Sequence, residues 1–133
     1  MIKIVIDTNI WVSFLIGKAL SGLEGLLLKK VKVMTSDEQI NEIISVLKRP
    51  KFKKYFSDDD IIELLTILFK VSEAVIIEHT IHDCRDEKDN FILETALKGN
   101  ADIIITGDKD LLDLNPYKGI KIINYREFES LIL

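Results

Sequence analysis

Short apolar runs alternate along the chain with longer segments in which apolar residues recur every three or four positions. The runs rich in β-branched residues predict five strands, at Ile2–Ile6, Val31–Thr35, Ala74–Ile77, Asp102–Thr106 and Ile120–Ile123. Helical periods lie between these strands, and such alternation is typical of βα units around a parallel sheet. The pattern therefore predicts an α/β fold with helices on both faces of the sheet.

Capping residues mark the starts of the predicted helices. Ser36, with Gln39 three residues later, forms a capping-box pattern. Ser57 precedes three aspartates, which the helix dipole favours in a first turn, and Asn124 opens a short helix near the end of the chain. Residues 8–30 predict two helical pieces with a break between them. The acids beside Ser57 are therefore explained as helix-stabilising residues.

The composition predicts a single domain spanning residues 1–133. Hydrophobic residues make up 47% of the chain and charged residues 30%, without a proline-rich, glycine-rich or repetitive tract. This apolar content is enough for one continuous core. No apolar run approaches the length of a membrane span, and the first residues lack the features of a signal peptide. We therefore expect a cytoplasmic protein without a membrane partner.

Charge and cysteine content narrow the candidate chemistry. The formal net charge is −4 and the pI is about 5.2, which argues against nucleic-acid binding by a broadly basic surface but allows a local basic patch. Cys84 is the single cysteine, so an intramolecular disulfide is excluded and a zinc site has little support.

Two aspartates lie directly after predicted strands. Asp7 ends the run IKIVID, and Asp108 follows the fourth strand in TGDKD. Either residue alone could cap the next helix. Ligands of open α/β sheets lie beyond the carboxyl ends of the strands, and two carboxylates on neighbouring strands repel each other unless a cation lies between them. The pair therefore predicts a metal site if the two strands are adjacent.

A third acid begins an apolar helical face in RDEKDNFILETALKG. The i, i+3, i+4, i+7 spacing of one face is formed by Asp89, Ile92, Leu93 and Ala96. A carboxylate on a buried face is unfavourable unless it is paired, hydrogen-bonded or metal-bound. Asp86, three residues earlier, is explained equally well as a helix cap and as a further ligand.

Two further candidates are weaker on spacing alone. Glu42 lies on the polar side of the helix predicted after Ser36, which favours a solvated glutamate. His79 and His82 follow the third strand and have a spacing that can bind metal, but no glutamate motif at helical spacing accompanies them.

The order of these motifs resembles the PIN-domain family. The segments IVIDTN, QINEIISVLKRPKF, DEKDNFILETA and ADIIITGDKDLL each carry one acidic motif of the family, in the same order and with similar spacing. The similarity covers nearly the whole chain and is greatest to the bacterial and archaeal toxin-like branch. Each motif alone is weak, whereas the ordered set is specific.

The resemblance implies a metal-dependent ribonuclease with a three-layer α/β/α fold and a five-stranded parallel sheet of order 3-2-1-4-5. The implied catalytic acids are Asp7, Glu42, Asp89 and Asp108. The same four acids would bind the metal, together with Asp86. The implied supporting residues are Thr8, Asn9, Asn90, Thr106 and Asp110. A set of carboxylates without convergent His or Cys suits Mg²⁺ or Mn²⁺.

The resemblance also implies partners. The substrate would be single-stranded or structured RNA, cleaved to 5′-phosphate and 3′-hydroxyl ends. The basic run KRPKFKK could hold phosphates and stack a base, although a solvated helix end explains it equally well. Its candidate RNA-binding residues are Lys48, Arg49, Lys51, Lys53 and Lys54. Toxin-like members further imply a cognate antitoxin protein and a homodimer.

Other functions stay open on the residues alone. A haloacid-dehalogenase-like phosphatase also begins with a strand-end aspartate, but it needs a second aspartate where this chain has Asn9. A phosphoacceptor receiver domain needs an early acidic pair and a lysine near the end of the fifth strand, which here ends IKIINY. A non-catalytic RNA- or protein-binding module with the PIN fold is the alternative from a different class. Metal should stabilise the nuclease but not such a module.

Overall fold

Five parallel strands form a single sheet in the computed structural model, which describes residues 1–16 and 29–132. The strands are β1 (Ile2–Ile6), β2 (Val31–Thr35), β3 (Ser72–Ala74), β4 (Ile103–Ile105) and β5 (Lys121–Ile123). Their order is β3-β2-β1-β4-β5, which confirms the predicted topology. The first strand is therefore central, between β2 and β4.

Helices connect the strands. They are α1 (Thr8–Ile16), α2 (Asp37–Leu47), α3 (Pro50–Lys53), α4 (Asp58–Val71), a 3₁₀ turn (Glu87–Asp89), α5 (Asn90–Lys98), α6 (Lys109–Leu112) and α7 (Tyr125–Ile132). The first helical piece predicted within residues 8–30 corresponds to α1, and the second falls largely outside the described residues. Within the described ranges, no helix combines the length and the apolar character that crossing a membrane requires.

Side chains of the sheet alternate between two hydrophobic cores. In β1, Ile4 and Ile6 join one core and Val5 joins the other. The first core is covered by α1, α2, α4 and α7, and the second by α5 and α6. β4 and all of β1 except Lys3 are apolar because both faces of the central sheet are covered, and each fully buried isoleucine contributes about 1.5–3 kcal/mol. The predicted three-layer α/β/α architecture is confirmed.

The predicted caps of α2 and α4 form differently. In α4, the Asp60 amide donates to Ser57 Oγ at 3.2 Å and the Ser57 amide donates back to Asp60 Oδ2 at 2.8 Å, which completes a capping box. In α2, the Gln39 amide donates to Ser36 Oγ at 3.4 Å. The reciprocal bond is not made, because the Gln39 side chain points into the buried network described below.

The third strand begins two residues earlier than predicted and ends at Ala74. Ala74 pairs with Thr35, and the last ladder bond runs from the Val75 amide to the Thr35 carbonyl at 2.7 Å. Beyond this bond, Ile76 is 89% exposed. The prediction followed the apolar run AVII, whereas the bounds of an edge strand depend on where its partner offers free backbone groups. The other predicted strands differ from the observed ones by at most one residue at an end.

Candidate metal centre

The carboxyl ends of β1 and β4 bring the two strand-end aspartates to one edge of the sheet. The strands pair in parallel with Ile6 opposite Ile105, and the Asp7 amide donates to the Ile105 carbonyl at 2.9 Å. Asp7, just after β1, therefore lies at the same end of the sheet as Thr106 and Asp108, just after β4. The two strands are adjacent, as the argument from charge required.

One buried hydroxyl connects these two acids. Thr106 Oγ1 donates to Asp7 Oδ2 at 2.7 Å and accepts from the Asp108 amide at 3.0 Å. Asp108 in turn caps α6, because its Oδ1 accepts from the Asp110 amide at 2.9 Å. The orientations of Asp7 and Asp108 are thus set by the ends of β1 and β4, with Thr106 between them.

Among the described residues, Asp86, Asp89 and Asp108 form a close group of acids. One carboxylate oxygen of each lies within 4.8 Å of the other two. Asp86 caps the 3₁₀ turn by accepting from the Lys88 amide at 3.1 Å, and Asp89 is the last residue of that turn. The tight turn brings both acids to Asp108. Asp86 is therefore a helix cap and also a member of the acidic group.

Asp89 has the least compensated charge of this group. Its Oδ2 is shielded from solvent and has no hydrogen-bond partner among the described residues. The pKa of Asp89 is raised from 3.8 to about 8, first by burial, then by a hydrogen bond between its carboxyl group and that of Asp108, and further by the charges of Asp108, Asp7 and Asp86. An ionised carboxylate in these surroundings is unfavourable unless a cation compensates it.

Asp7 and Glu42 lie beside the closest three acids. Asp7 is 4% exposed. Burial raises the pKa of Asp7, the hydrogen bond from Thr106 opposes that rise, and the charges of Glu42 and Asp108 add to it. Glu42 is half-buried, and it lies close enough to Asp7 for its charge to raise the pKa of Asp7. The fold gathers all five predicted acids at one edge of the sheet.

The donor set fits a hard divalent cation. Mg²⁺ and Mn²⁺ prefer carboxylate oxygens and retain bound waters, and a cation would compensate the shielded oxygen of Asp89. Asp86, Asp89 and Asp108 are the residues that could hold it directly, since their carboxylates are closest together.

Two of the predicted supporting residues make contacts of their own near the acids. Asn90 Oδ1 accepts from the Cys84 amide at 2.9 Å, which ties the preceding loop to the start of α5. Asp110 is paired with Arg85, whose guanidinium also contacts Asp113, at 2.9 and 2.7 Å respectively. Both residues therefore hold the chain around the acids.

Of the remaining three supporting candidates, Thr106 is the hydroxyl described above, and Thr8 and Asn9 follow Asp7 into α1. Thr8 is buried, and its Oγ1 has no hydrogen-bond partner among the described residues. Asn9 is exposed, and its carbonyl accepts from Ser13 Oγ at 2.9 Å. Of the two, Thr8 is the one with an uncommitted polar atom.

A buried polar network, which the sequence analysis missed, joins β1, α2 and α5. Gln39 donates from Nε2 to the Ile6 carbonyl and accepts from Thr35 Oγ1 at 2.6 Å. On the α5 side, Thr95 Oγ1 lies 3.0 Å from Ser36 Oγ. These three elements carry Asp7, Glu42 and the segment after Asp89, so the network fixes the acids relative to one another. Polar residues at buried helical positions were the available signal.

Glu94 was also missed. It is 1% exposed, and its carboxylate accepts backbone amides from four successive residues. The donors are Glu78, His79 at 2.9 Å, Thr80 at 2.7 Å and Ile81 at 3.3 Å. Burial alone would raise the pKa of Glu94, but these amides lower it below the ordinary value of 4.5. Glu94 therefore anchors the loop of residues 78–81.

The basic run begins directly after α2 and includes all of α3. Its five cations are exposed. Phe52, however, is not the free ring that base stacking would need, because it packs against the core and stacks on Phe56 with centroids 5.9 Å apart. Tyr55, which is 72% exposed, is the accessible aromatic side chain of this segment.

The two histidines contact different glutamates. His82 Nδ1 lies 2.7 Å from Glu87 Oε1, and His79 Nε2 lies 3.9 Å from Glu38 Oε1. Within the described part of the chain, they do not belong to the group of possible metal ligands. The aspartates are thus the better metal candidates.

Comparison with known proteins agrees with this geometry. A family profile described as PIN domain matches residues 3–110. The chain is 38% identical over 130 residues to the uncharacterized protein MJ1680 of Methanocaldococcus jannaschii, and the match covers 92% of this chain and 82% of that protein. A solved structure, described as a domain of a functionally unknown protein from M. jannaschii DSM 2661, matches with a TM-score of 0.59 at 17% identity, covering 93% of this chain and 91% of that one.

The similarity to the solved structure shows a shared fold and no more. The family profile and the sequence relative show that the chain is homologous to these proteins. PIN domains are in general metal-dependent nucleases, and the acidic group of this chain could bind a metal ion. The profile spans most of the described sequence and includes all five acids that the fold gathers at one edge of the sheet. The chain belongs to the PIN-domain family.

Proposed function

We propose that this PIN domain is a metal-dependent endoribonuclease that hydrolyses phosphodiester bonds of RNA. The observation that carries the proposal is the shielded oxygen of Asp89, which lies among the carboxyl groups of Asp86 and Asp108 without a hydrogen-bond partner in the described residues. A bound Mg²⁺ or Mn²⁺ ion would supply a polarised water and neutralise the charge that develops on the phosphate.

The surrounding acidic residues would have separate roles. Asp86, Asp89 and Asp108 would hold the ion, and Asp7, oriented by Thr106, would complete the acidic set. Glu42, half-buried beside Asp7, orients the attacking water. The products would carry 5′-phosphate and 3′-hydroxyl ends.

The basic run provides a path for the substrate toward an acidic centre. Exposed lysines and one arginine follow directly after the helix that carries Glu42. Cations of this kind hold phosphates, and the exposed ring of Tyr55 can stack on an unpaired base. We therefore favour RNA with accessible single-stranded segments as the substrate.

The proposal includes a role as the toxin of a toxin–antitoxin pair in the cytoplasm, because the sequence most resembles the toxin-like branch. A cognate antitoxin or a second copy would need an accessible apolar surface. Ile62 and Phe69, seven residues apart on α4, are 60% and 61% exposed and are candidates for that contact.

The test is cleavage of single-stranded RNA in Mn²⁺. We expect Asp7→Asn and Asp108→Asn to lower the rate by more than about a hundredfold, as loss of groups at a metal site does. Asp59→Asn, which changes an exposed acid of α4, is the matched control and should cleave like wild type. Induced expression of wild type, but not of Asp7→Asn, should arrest growth. Cleavage by Asp108→Asn at the wild-type rate would contradict the proposal.

A further inference from the structure

Residues 83–85 lead directly into Asp86 and belong to neither a helix nor a strand. Because no ladder of backbone hydrogen bonds holds such a segment, its position depends on contacts with other parts of the chain. Each residue of the segment makes such a contact. The partners, in chain order, are Tyr117, then Asn90, then Asp110 together with Asp113. The segment before the acidic group is therefore tied to the rest of the fold by side chains.

Arg85 joins this segment to α6. Its Nη2 donates to Asp113 Oδ2 at 2.7 Å and lies 2.9 Å from Asp110 Oδ1. Asp110 belongs to the first turn of α6, whose amino-terminal cap is Asp108, and Asp113 caps the other end of that helix. One guanidinium thus connects the residue directly before Asp86 to the helix that Asp108 caps.

The two chain segments that Arg85 connects carry acids that repel each other. Carboxylate oxygens of Asp86 and Asp108 lie within 4.8 Å of one another and of an oxygen of Asp89. Like charges at this separation push their segments apart when no cation lies between them. The guanidinium draws the same segments together through acids of α6 that are not members of this group, so the carboxylates of the group stay open to an ion.

This contact is expected to affect metal binding more than overall stability. The side chain of Arg85 is 68% exposed, and those of Asp110 and Asp113 are 36% and 49% exposed. Ion pairs as exposed as these contribute little to the stability of a fold, because water and salt screen them. Side chains that orient metal ligands, in contrast, commonly change metal affinity by about ten- to a hundredfold. Metal affinity is therefore the property that tests the role of Arg85.

We propose that Arg85 is a positioning residue of the metal centre, and that its pairing with α6 holds Asp86 and Asp108 at the separation that a divalent cation bridges. The inference rests on the metal centre of the proposed nuclease, but it is tested without RNA. Positioning differs from charge compensation in its consequence. A side chain that only neutralised the acids would weaken the binding of a metal ion, whereas one that gathers the ligands strengthens it.

The first experiment measures the Mn²⁺ dissociation constant by isothermal titration calorimetry at physiological ionic strength. Arg85→Gln removes a positive charge, so an effect of charge alone would tighten Mn²⁺ binding. Loss of positioning would weaken it, and we expect weakening by about tenfold. The two explanations thus predict changes of opposite sign. Binding by Arg85→Gln that is as tight as that of wild type, or tighter, would overturn the inference.

The second experiment tests whether Arg85 acts through α6. Asp113→Asn removes the acceptor of its hydrogen bond and should also weaken Mn²⁺ binding. In a protein that already carries Arg85→Gln, adding Asp113→Asn should cost no more than about twofold further, because the contact is already broken. Additive losses would mean that the two residues act independently and would overturn the inference. If Arg85→Gln does not fold, unchanged Mn²⁺ binding by Asp113→Asn would overturn it instead.

Arg126→Gln is the matched control, since it removes an exposed arginine from α7 and changes the net charge in the same way. It should bind Mn²⁺ within about twofold of wild type, because salt screens exposed charges. Equal weakening by Arg85→Gln and Arg126→Gln would mean that the loss does not depend on α6, and would overturn the inference.

RNA cleavage separates this inference from the nuclease proposal. Mn²⁺ binding that Arg85→Gln weakens, in a protein whose wild type cleaves no RNA, would support the positioning role and contradict the nuclease. Cleavage by wild type together with Mn²⁺ binding that Arg85→Gln leaves unchanged would overturn the positioning role and leave the nuclease standing.

Discussion

Asp89 and Glu94 are carboxylates five residues apart in the chain, and their surroundings differ sharply. Glu94 is almost fully buried, and its oxygens accept four backbone amides, so its pKa lies below the ordinary value. Asp89 is half-buried among other acids, one of its oxygens has no partner in the described residues, and its pKa is about 8. Burial raises the pKa of both groups, so the opposite outcomes come from their neighbours.

This comparison separates structural acids from candidate functional acids without reference to other sequences. Glu94 is already compensated by the fold and would gain little from a cation. Asp89 is not, and its local chain geometry persists only at an electrostatic cost that an ion would remove. The charge balance around each carboxylate, rather than its depth, distinguishes the two roles.

The largest effect is expected from Asp89→Asn. The variant should lose more than about a hundredfold of the proposed cleavage activity, since it removes one of the three carboxylates proposed to hold the metal. Without metal at neutral pH, the Asp89→Asn variant should be more stable than wild type. The folded-state pKa of Asp89 is raised from 3.8 to about 8, so its stabilising contribution is present below pH 4 and is lost as the pH rises toward 8.

Urea denaturation in EDTA between about pH 5 and pH 8 measures this pH dependence. The free energy of unfolding of wild type should fall relative to that of Asp89→Asn as the pH increases. Adding Mn²⁺ should then stabilise wild type and Asp59→Asn but not Asp89→Asn. Parallel curves in EDTA, or equal stabilisation of all three proteins by Mn²⁺, would mean that Asp89 carries no uncompensated charge.

Glu94→Gln should show the opposite pattern. Replacing a charged acceptor of four amides by a neutral one should lower the free energy of unfolding by about 2 kcal/mol. The pKa of Glu94 is lowered in the fold, so its contribution is present above about pH 4.5 and is lost at more acidic pH. Cleavage by the folded variant should stay within about tenfold of wild type. Glu78→Gln, at an exposed glutamate of the same loop, is the control; equal destabilisation by both would show that the amide cradle is unimportant.

The sequence alone was sufficient to identify, as candidate site residues, the acids that interrupt an apolar pattern. Asp7 at the end of a buried strand and Asp89 at the start of a buried helical face both stood out, because periodicity defines what such positions should contain. Glu94 did not, since its burial depends on a loop folding back over α5. Glu42 was placed by family resemblance, because its proximity to Asp7 is a matter of how α2 packs and not of its own spacing.

The smallest effect is expected from the basic run. Replacing Lys51, Lys53 and Lys54 by Ala should weaken binding of single-stranded RNA about tenfold at low salt and reduce the salt dependence by about 2 logarithmic units per decade. Metal affinity should not change, because these lysines lie outside the acidic group. The control triple, Lys98, Lys118 and Lys121, changes exposed lysines outside the basic run. Equal RNA dissociation constants for wild type and the Lys51, Lys53 and Lys54 variant would show that RNA binds elsewhere on the protein.

The hydroxyl of Thr106 restricts which substitutions the acidic centre can tolerate. It donates to an acid on one strand and accepts from the backbone that positions an acid on the next. Removing it disturbs both at once, and no adjustment of either acid alone restores the pair. A residue that contacts the side chain of one acid and the backbone of another thereby limits which substitutions the two neighbouring positions can tolerate.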